Sequence, residues 1–407
     1  MKYRWTVCAL LFVVTTINYI DRQVLSILAP TLQRELHWSE SQYGNIVSSF
    51  TLVYAFGFLV VGRWLDRVGV RRGFAAAIVV WSLAAIGNAF ARTAAGFLAA
   101  RALLGFGESA NFPGAIKTVA QWFPTRERAL ATGIFNAGTN TGTIAAALIV
   151  PLIALRWGWQ WAFVATGALG FVWLGAWLVL YRDPETRPAD LATASVPWIR
   201  LLGYQQTWAF AVGKLMADPI WWFYLYWLPK FLDSKYGIHL KQVALPLIVV
   251  YLVADIGSVA GGWLSGSLIK RGWTINRARK TAMLVMASLI VPTAFAPLAG
   301  SMWTAVAIVS VAAAAHQAWS ANVYTLASDM FPETAVGSVV GIGACAGAAG
   351  GGLFQWATGR VLQANGSNYT PIFIVCGLAY VSAWCIIHLL APRLQPATVG
   401  EPSPHRI

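Results

Sequence analysis

Phe97-Leu-Ala-Ala-Arg101-Ala-Leu-Leu-Gly105-Phe-Gly-Glu108-Ser-Ala-Asn111-Phe-Pro113-Gly-Ala-Ile-Lys117-Thr-Val119 is a mainly apolar run of membrane-crossing length with an arginine and a glutamate inside it. A second such run, Trp5 to Pro30, is interrupted by Asp21-Arg22. An ionisable side chain at the centre of a membrane helix costs roughly 2.5–3.5 kcal/mol on insertion scales, and more in simulations. Such groups therefore face a protein interior or a water-filled path and have partners. They are candidate binding and proton-transfer groups, and together they point to the passage of an anion across a membrane.

The rest of the chain fits that reading. Its 407 residues are 58% hydrophobic and 11% charged, whereas a soluble domain carries about 25% charged residues. Apolar windows able to cross a bilayer recur from end to end. The predicted spans are 5–30, 43–63, 73–92, 94–117, 128–153, 159–181, 207–232, 243–268, 278–298, 301–325, 335–358 and 371–391. The expectation is an all-α membrane protein of twelve transmembrane helices in two six-helix bundles. The bundles run over 1–181 and 207–391, joined by a linker at 182–206 and followed by a tail at 392–407.

A formal net charge of +14 raises the question of nucleic acid. The distribution of the charge argues against it. With both termini placed in the cytoplasm, most Lys and Arg fall in cytoplasmic loops, which is the positive-inside bias of membrane proteins. No basic loop resembles a fold that reads bases. The four cysteines (Cys8, Cys345, Cys376 and Cys385) lie in predicted spans without paired or metal-ligand spacing, so they read as apolar packing residues and no metal is expected. The first thirty residues begin like a signal peptide, with Lys2 and Arg4 before an apolar run. The run is too long, and Asp21-Arg22 would break its hydrophobic region, so it is read as the first span.

The two halves echo each other. Trp122-Phe-Pro-Thr125 after the fourth span matches Met330-Phe-Pro-Glu333 after the tenth, and Gly133 and Gly142 fall on Gly341 and Gly350 at the same offset. Gly62-x-x-x-Asp66 likewise matches Gly262-x-x-x-Gly266. Repeated bundles flanking a midplane site are a common architecture for alternating access. Glu108 falls on His316 at the first offset, which puts one titratable group at equivalent depth in each half.

Gly62-Arg-Trp-Leu-Asp66-Arg67-Val-Gly69-Val-Arg71-Arg72 joins the second and third spans. Its glycines permit a tight turn, and Asp66 with the cations can form a charge network at a helix end. The segment resembles the signature loop of the major facilitator superfamily, G-x-x-x-D-R-x-G-x-R-R, with Val70 where that family often has Arg or Lys. The resemblance implies the major facilitator fold and gives this loop, with Gly62, Asp66, Arg67, Gly69 and Arg71, a role in bracing the cytoplasmic gate. Arg126, in Trp122-Phe-Pro-Thr-Arg126-Glu127-Arg128, belongs to the same expected gating set.

Asn18-Tyr19-Ile-Asp21-Arg22, with Arg101 and Glu108, narrows the likeness to the anion:cation symporters. In that branch the acids matching Asp21 and Glu108 take up protons, the arginine matching Arg22 binds the substrate carboxylate, and tyrosines matching Tyr19 and Tyr54 line the cavity. Read without the family, the same four charges are equally buried ion pairs that hold helices together. Arg101 and Glu108 are two turns apart on one face, about 10 Å along the axis, so Arg101 serves as a charge partner only if its side chain bends.

Further polar positions extend the candidate substrate site. Asn136 lies in the glycine-rich Phe135–Gly142 segment, and Trp222 lies among the aromatics of the seventh span, where Lys214 and Asp218 can neutralise each other. Asp255 in the eighth span has no assigned role. Ala315-His316-Gln317-Ala-Trp-Ser320-Ala-Asn322 is polar for a membrane span, and His316, Gln317, Ser320 and Asn322 suit hydroxyl groups. Within the branch this segment, followed by Ala327-Ser-Asp-Met-Phe-Pro332, most resembles bacterial hexuronate carriers.

No catalytic constellation and no phosphate-cradling Gly-x-x-x-x-Gly-Lys loop is present, so neither an enzyme nor an ATP-driven pump is expected. The resulting expectation is a monomeric carrier of the bacterial inner membrane that imports a hexuronate or related sugar acid. Protons would be its coupling ion, with no cofactor and no partner beyond membrane lipid. Other sugar acids such as galactonate and glucarate, or outward transport of a metabolite or drug, are the alternatives within the same fold.

Overall fold

The computed structural model describes residues 2–183 and 198–397. The side chains of Asp66 and Arg126, most of the linker and the last ten residues lie outside the described residues. The chain folds into helices α1 (Lys2–Leu36), α2 (Glu40–Val68), α3 (Val70–Phe90), α4 (Ala94–Glu108), α5 (Asn111–Trp122), α6 (Thr125–Trp157) and α7 (Trp159–Leu180). A short α8 (Trp198–Leu201) is followed by α9 (Gln205–Tyr236), α10 (Ala244–Lys270), α11 (Ile275–Ile290), α12 (Met302–Met330), α13 (Glu333–Ala364) and α14 (Thr370–Leu390). Among the described residues, 10 helical segments are long and apolar enough to cross a bilayer.

The difference from twelve has local causes. The fourth predicted span divides into α4 and α5 at Ser109-Ala110. Pro113 has no N–H to return to the Ser109 carbonyl, and its ring crowds that position, so the helix breaks one turn before it. Ser109 closes α4 by donating its N–H to Gly105 O and its hydroxyl to Phe106 O. The seventh span, α9, has ample length at 32 residues but carries Lys214, Asp218, Lys230, Asp233 and Lys235. The ninth span is counted among the 10 although it ends as a 3-10 segment, Val291–Leu298, where Pro292 and Pro297 remove helical donors.

The chain forms two compact units. The first comprises Met1–Ala189 with Leu225–Ile248 and Gln355–Ala364; the second comprises Asp190–Tyr224, Val249–Phe354 and Asn365–Ile407. In the first unit α1 packs along α6, α2 along α4, and α3 along α7. Glycines set these separations. A Cβ on Gly138 would sit 2.6 Å from Phe12 O, and one on Gly142 would strike Thr16 O and come within 2.9 Å of Tyr19 Cβ. Gly142→Leu is therefore expected to lower stability by about 1–3 kcal/mol through overpacking. A fall in the detergent-solubilised Tm would register it, and an unchanged Tm would remove this account of the α1–α6 contact.

Gly69 joins α2 to α3 at φ 87°, a left-handed conformation that favours glycine. Around it, Lys117 donates to Leu65 O at 3.0 Å, Arg71 donates to Leu178 O at 2.7 Å, and Trp177 Nε1 donates to Arg71 O at 3.1 Å. The loop is thereby tied to α5 and α7. Arg67 is exposed and Gly62 has open space beside it.

In the second unit, Phe210, Lys214, Asp218 and Trp222 form one face of α9 at four-residue spacing. They lie on Gly343, Gly347 and Gly351 of α13, spaced the same way, where any Cβ would collide with them. Gly257 and Gly261 of α10 abut Ala314 and Ala318 of α12 in the same manner. Small residues at four-residue intervals let membrane helices approach to backbone contact.

Candidate functional site

The four charges of the opening motif meet inside the first unit. Arg22 projects from the middle of α1, and its Nε lies 2.6 Å from Glu108 Oε2, with both side chains almost fully buried. Glu108 is the last residue of α4, so the helix break at Ser109 places its carboxylate at a C-terminal end. The helix dipole there is unfavourable to an anion, and Arg22 supplies the compensating charge. Arg101, also buried, pairs with neither carboxylate. Its two terminal nitrogens donate to the backbone carbonyls of Asp21 and Arg22, each at 3.3 Å. Arg101 thus clamps α1 at the ionic residues while its charge also acts on Asp21 and Glu108.

Asp21 is 1% exposed, and its carboxyl group interacts with the Thr166 hydroxyl and with the charges of Glu108 and Arg101. The amide of the buried Asn18 interacts with the Glu108 carboxylate. The formal charges of Asp21, Arg22, Arg101 and Glu108 cancel. A new anion at Arg22 would leave the cluster with one negative charge too many, in surroundings where burial makes an uncompensated charge costly.

Aromatic rings enclose the guanidinium of Arg22. Its Cζ lies 4.5 Å from the Tyr54 ring centroid, 4.7 Å from Tyr19 and 5.2 Å from Phe50. Arg101 sits 4.9 Å from the same Phe50 ring. Rings at such distances favour a desolvated cation. Tyr19 and Tyr54 were both expected from the sequence, but Phe50 and Tyr226 were not. Phe50 is one turn from Tyr54 and stacks on it at 5.7 Å, so helical spacing alone could have found it. Tyr226 packs edge-on to Phe50 at 6.3 Å and lies within electrostatic reach of Arg22, Arg101 and Glu108. Nothing local in the sequence marks that residue.

The remaining candidates lie on α6 of the first unit and on α9 and α12 of the second. Asn136 is exposed on α6. In the second unit His316 is held on two sides. Its ring stacks on Trp221 at 5.0 Å and 7°, and its Nδ1 lies 2.5 Å from Tyr380 Oη. Tyr380 in turn donates to Ala217 O at 3.0 Å, which ties α12, α14 and α9 together. Asn322 spends its amide on Gly261 O and Ala318 O, a helix-packing use. Trp222 is buried beside Gly351, while Gln317 and Ser320 are half-buried. Lys214 pairs with Asp218 at 2.9 Å, as their spacing anticipates, and also donates to Tyr324 Oη at 3.1 Å.

The sequence matches the profile of the Major Facilitator Superfamily over residues 11–355. A protein named Hexuronate transporter from Escherichia coli (strain K12) is 29% identical over 427 aligned residues, covering 98% of each chain. A Galacturonate transporter from Dickeya chrysanthemi is 30% identical over 331, covering 76% of this chain and 95% of that one. Among solved structures, a bacterial homologue of the human lysosomal transporter Spinster, in an inward-facing and unoccupied conformation, superposes with a TM-score of 0.75. It is 19% identical and 96% of each chain is covered, a likeness of fold alone.

Proposed function

The chain belongs to the Major Facilitator Superfamily, and from that premise we propose that it is a proton-coupled symporter importing a hexuronate, such as glucuronate or galacturonate, by alternating access. It is an integral membrane transporter and not an enzyme. The proposal further places it in the bacterial inner membrane with both termini in the cytoplasm, as a monomer, and retains the division into six helices and six that the internal repeat suggests.

The observation that carries the reading is the buried Arg22–Glu108 pair in a cluster of zero formal charge. A guanidinium binds one carboxylate well in a bidentate fork. The substrate carboxylate therefore competes with Glu108 for Arg22, and it prevails when a proton neutralises Glu108. Proton and substrate bind together because each removes the obstacle to the other. Asp21, buried and held in no ion pair among the described residues, is the second proton carrier. Tyr19 and Tyr54 flank the guanidinium and bound the ligand beside it. Asn136, Trp222, His316, Gln317, Ser320 and Asn322 remain proposed contacts for the hydroxyl-bearing remainder of the sugar. The names of the two relatives support a sugar acid, with a hexuronate among the candidates.

Radiolabelled uptake into proteoliposomes tests this. An acid-outside gradient should drive glucuronate or galacturonate above equilibrium, with galactonate and glucarate as competitors to grade the preference. Uptake that ignores collapse of the pH gradient would overturn proton coupling. Failure of every sugar acid to enter would overturn the substrate class.

A further inference from the structure

In the second unit, the chain leaving α14 is held by charged groups that the proposed transport site does not use. Lys280 of α11 is 6% exposed, and its ammonium donates to Ala391 O at 2.6 Å and to Pro392 O at 2.7 Å. These carbonyls lie just past the last residue of α14, where no helical donor remains to meet them. The ammonium also meets His388 Nδ1 at 3.2 Å. His388 is exposed in the last turn of α14, and its ring stacks on Trp384 at 5.4 Å and 7°. Trp384 Nε1 in turn donates to Lys280 O at 2.9 Å.

Beyond Pro392 the chain crosses two further helix ends. The Leu394 N–H donates to Asn276 Oδ1 in the first turn of α11 at 3.1 Å. The Ala397 N–H donates at 2.7 Å to the carbonyl of Met330, the last residue of α12. Ala391 and Ala397 are 3% and 8% exposed. Residues 391–397 thus form a strap that joins the ends of α14, α11 and α12.

An ammonium carries only donors, so His388 Nδ1 accepts here and the ring proton sits on Nε2. A proton arriving at Nδ1 would turn an N–H against the ammonium and set two positive charges side by side. Imidazole is the side chain whose ordinary change of charge falls between pH 5 and 8. The face of Trp384 favours an imidazolium, so Lys280 is the partner that gives way. The carbonyls it then leaves are the ones that fasten the strap. Other charges at this end offer no relief. α14 carries no charged residue besides His388. Arg279 of α11 and Asp329 of α12 pair with each other at 3.1 Å, Arg277 of α11 lies over Trp273, and Arg393 in the strap is a further cation. Among the described residues, no carboxylate pairs with Lys280 or His388.

We propose that His388 and Lys280 make residues 391–397 a proton-released strap, fastened to α11 and α12 while His388 is neutral and let go when its side of the membrane turns acid. With both termini in the cytoplasm, a carrier that brings protons in meets here the acidity it creates. That consequence rests on the carrier reading; the release itself does not. A nitroxide on Gln395→Cys, an exposed position in the strap, reports its mobility in detergent-solubilised protein once the signal of the labelled native chain is subtracted. Between about pH 8 and about pH 5 the mobile fraction should rise about tenfold, as one proton shifts a two-state population. His388→Gln, whose amide oxygen still accepts from Lys280 and takes up no proton, should keep the strap immobile at both pH values. His388→Lys, a permanent cation, should leave it mobile at both. A spectrum of the otherwise native protein that ignores pH overturns the proposal. So does a His388→Gln protein that responds to pH as fully, or a His388→Lys protein whose strap stays immobile at the higher pH. No substrate is present, so an error in the sugar-acid assignment leaves this readout standing.

Discussion

Arg22→Lys is expected to weaken substrate binding about ten- to a hundredfold while the protein still folds. Charge is conserved, so Glu108 keeps a cationic partner and the buried cluster keeps its balance. What disappears is the planar fork and the flat face set between Tyr19 and Tyr54. A point-charge ammonium reproduces neither bidentate carboxylate binding nor stacking. A hydrogen bond to a charged group contributes about 1.5–3 kcal/mol, and each 1.4 kcal/mol is a tenfold change in affinity. Binding to purified protein, read beside its thermal unfolding, separates the two effects. Near-native affinity in this variant would remove Arg22 from the carboxylate site.

Glu108→Gln should sharply lower accumulation driven by a pH gradient, leaving at most the one proton carried by Asp21, while exchange of substrate across the membrane stays intact. The amide imitates a permanently neutral acid, so Arg22 is released for substrate at any pH and nothing remains at that position to carry a proton. A hexuronate bears one negative charge. One accompanying proton makes the cycle electroneutral, whereas two carry one positive charge inward, worth about 2.3 kcal/mol per 100 mV of membrane potential. With Asp21 as the second carrier, wild-type uptake is expected to rise with an inside-negative potential. Counterflow and net uptake in the same vesicles distinguish these cases. If potential has no effect on wild-type uptake and the variant concentrates substrate as strongly as the wild type, the two-acid mechanism is wrong.

The sequence was sufficient for the class of protein. Apolar runs of bilayer length require helices, because backbone polar groups have no water to bond inside hydrocarbon. The Gly62–Arg72 loop carried the family, and the charges inside two spans marked the candidate site. The break after Glu108 was also written there, in Pro113, since a missing N–H acts on its own helix.

Partner choice was not legible in the same way. Spacing along one helix relates Arg101 to Glu108 and Lys214 to Asp218, and it succeeded only where the partners lie on adjacent turns, as Lys214 and Asp218 do. Glu108 instead takes Arg22 from α1, and Arg101 takes two backbone carbonyls. Tyr226 joins them from far along the chain, and Lys230 finds Glu40 in the same way. Hydropathy and periodicity report which face of a helix is apolar, not the rotation and height at which it meets another. By itself the sequence determined a helical membrane carrier with ionic groups buried in its spans. Only the tertiary structure decided which charge neutralises which, because that depends on glycine-to-backbone contacts such as Gly142 on Thr16, which set helix separation and register across the bundle.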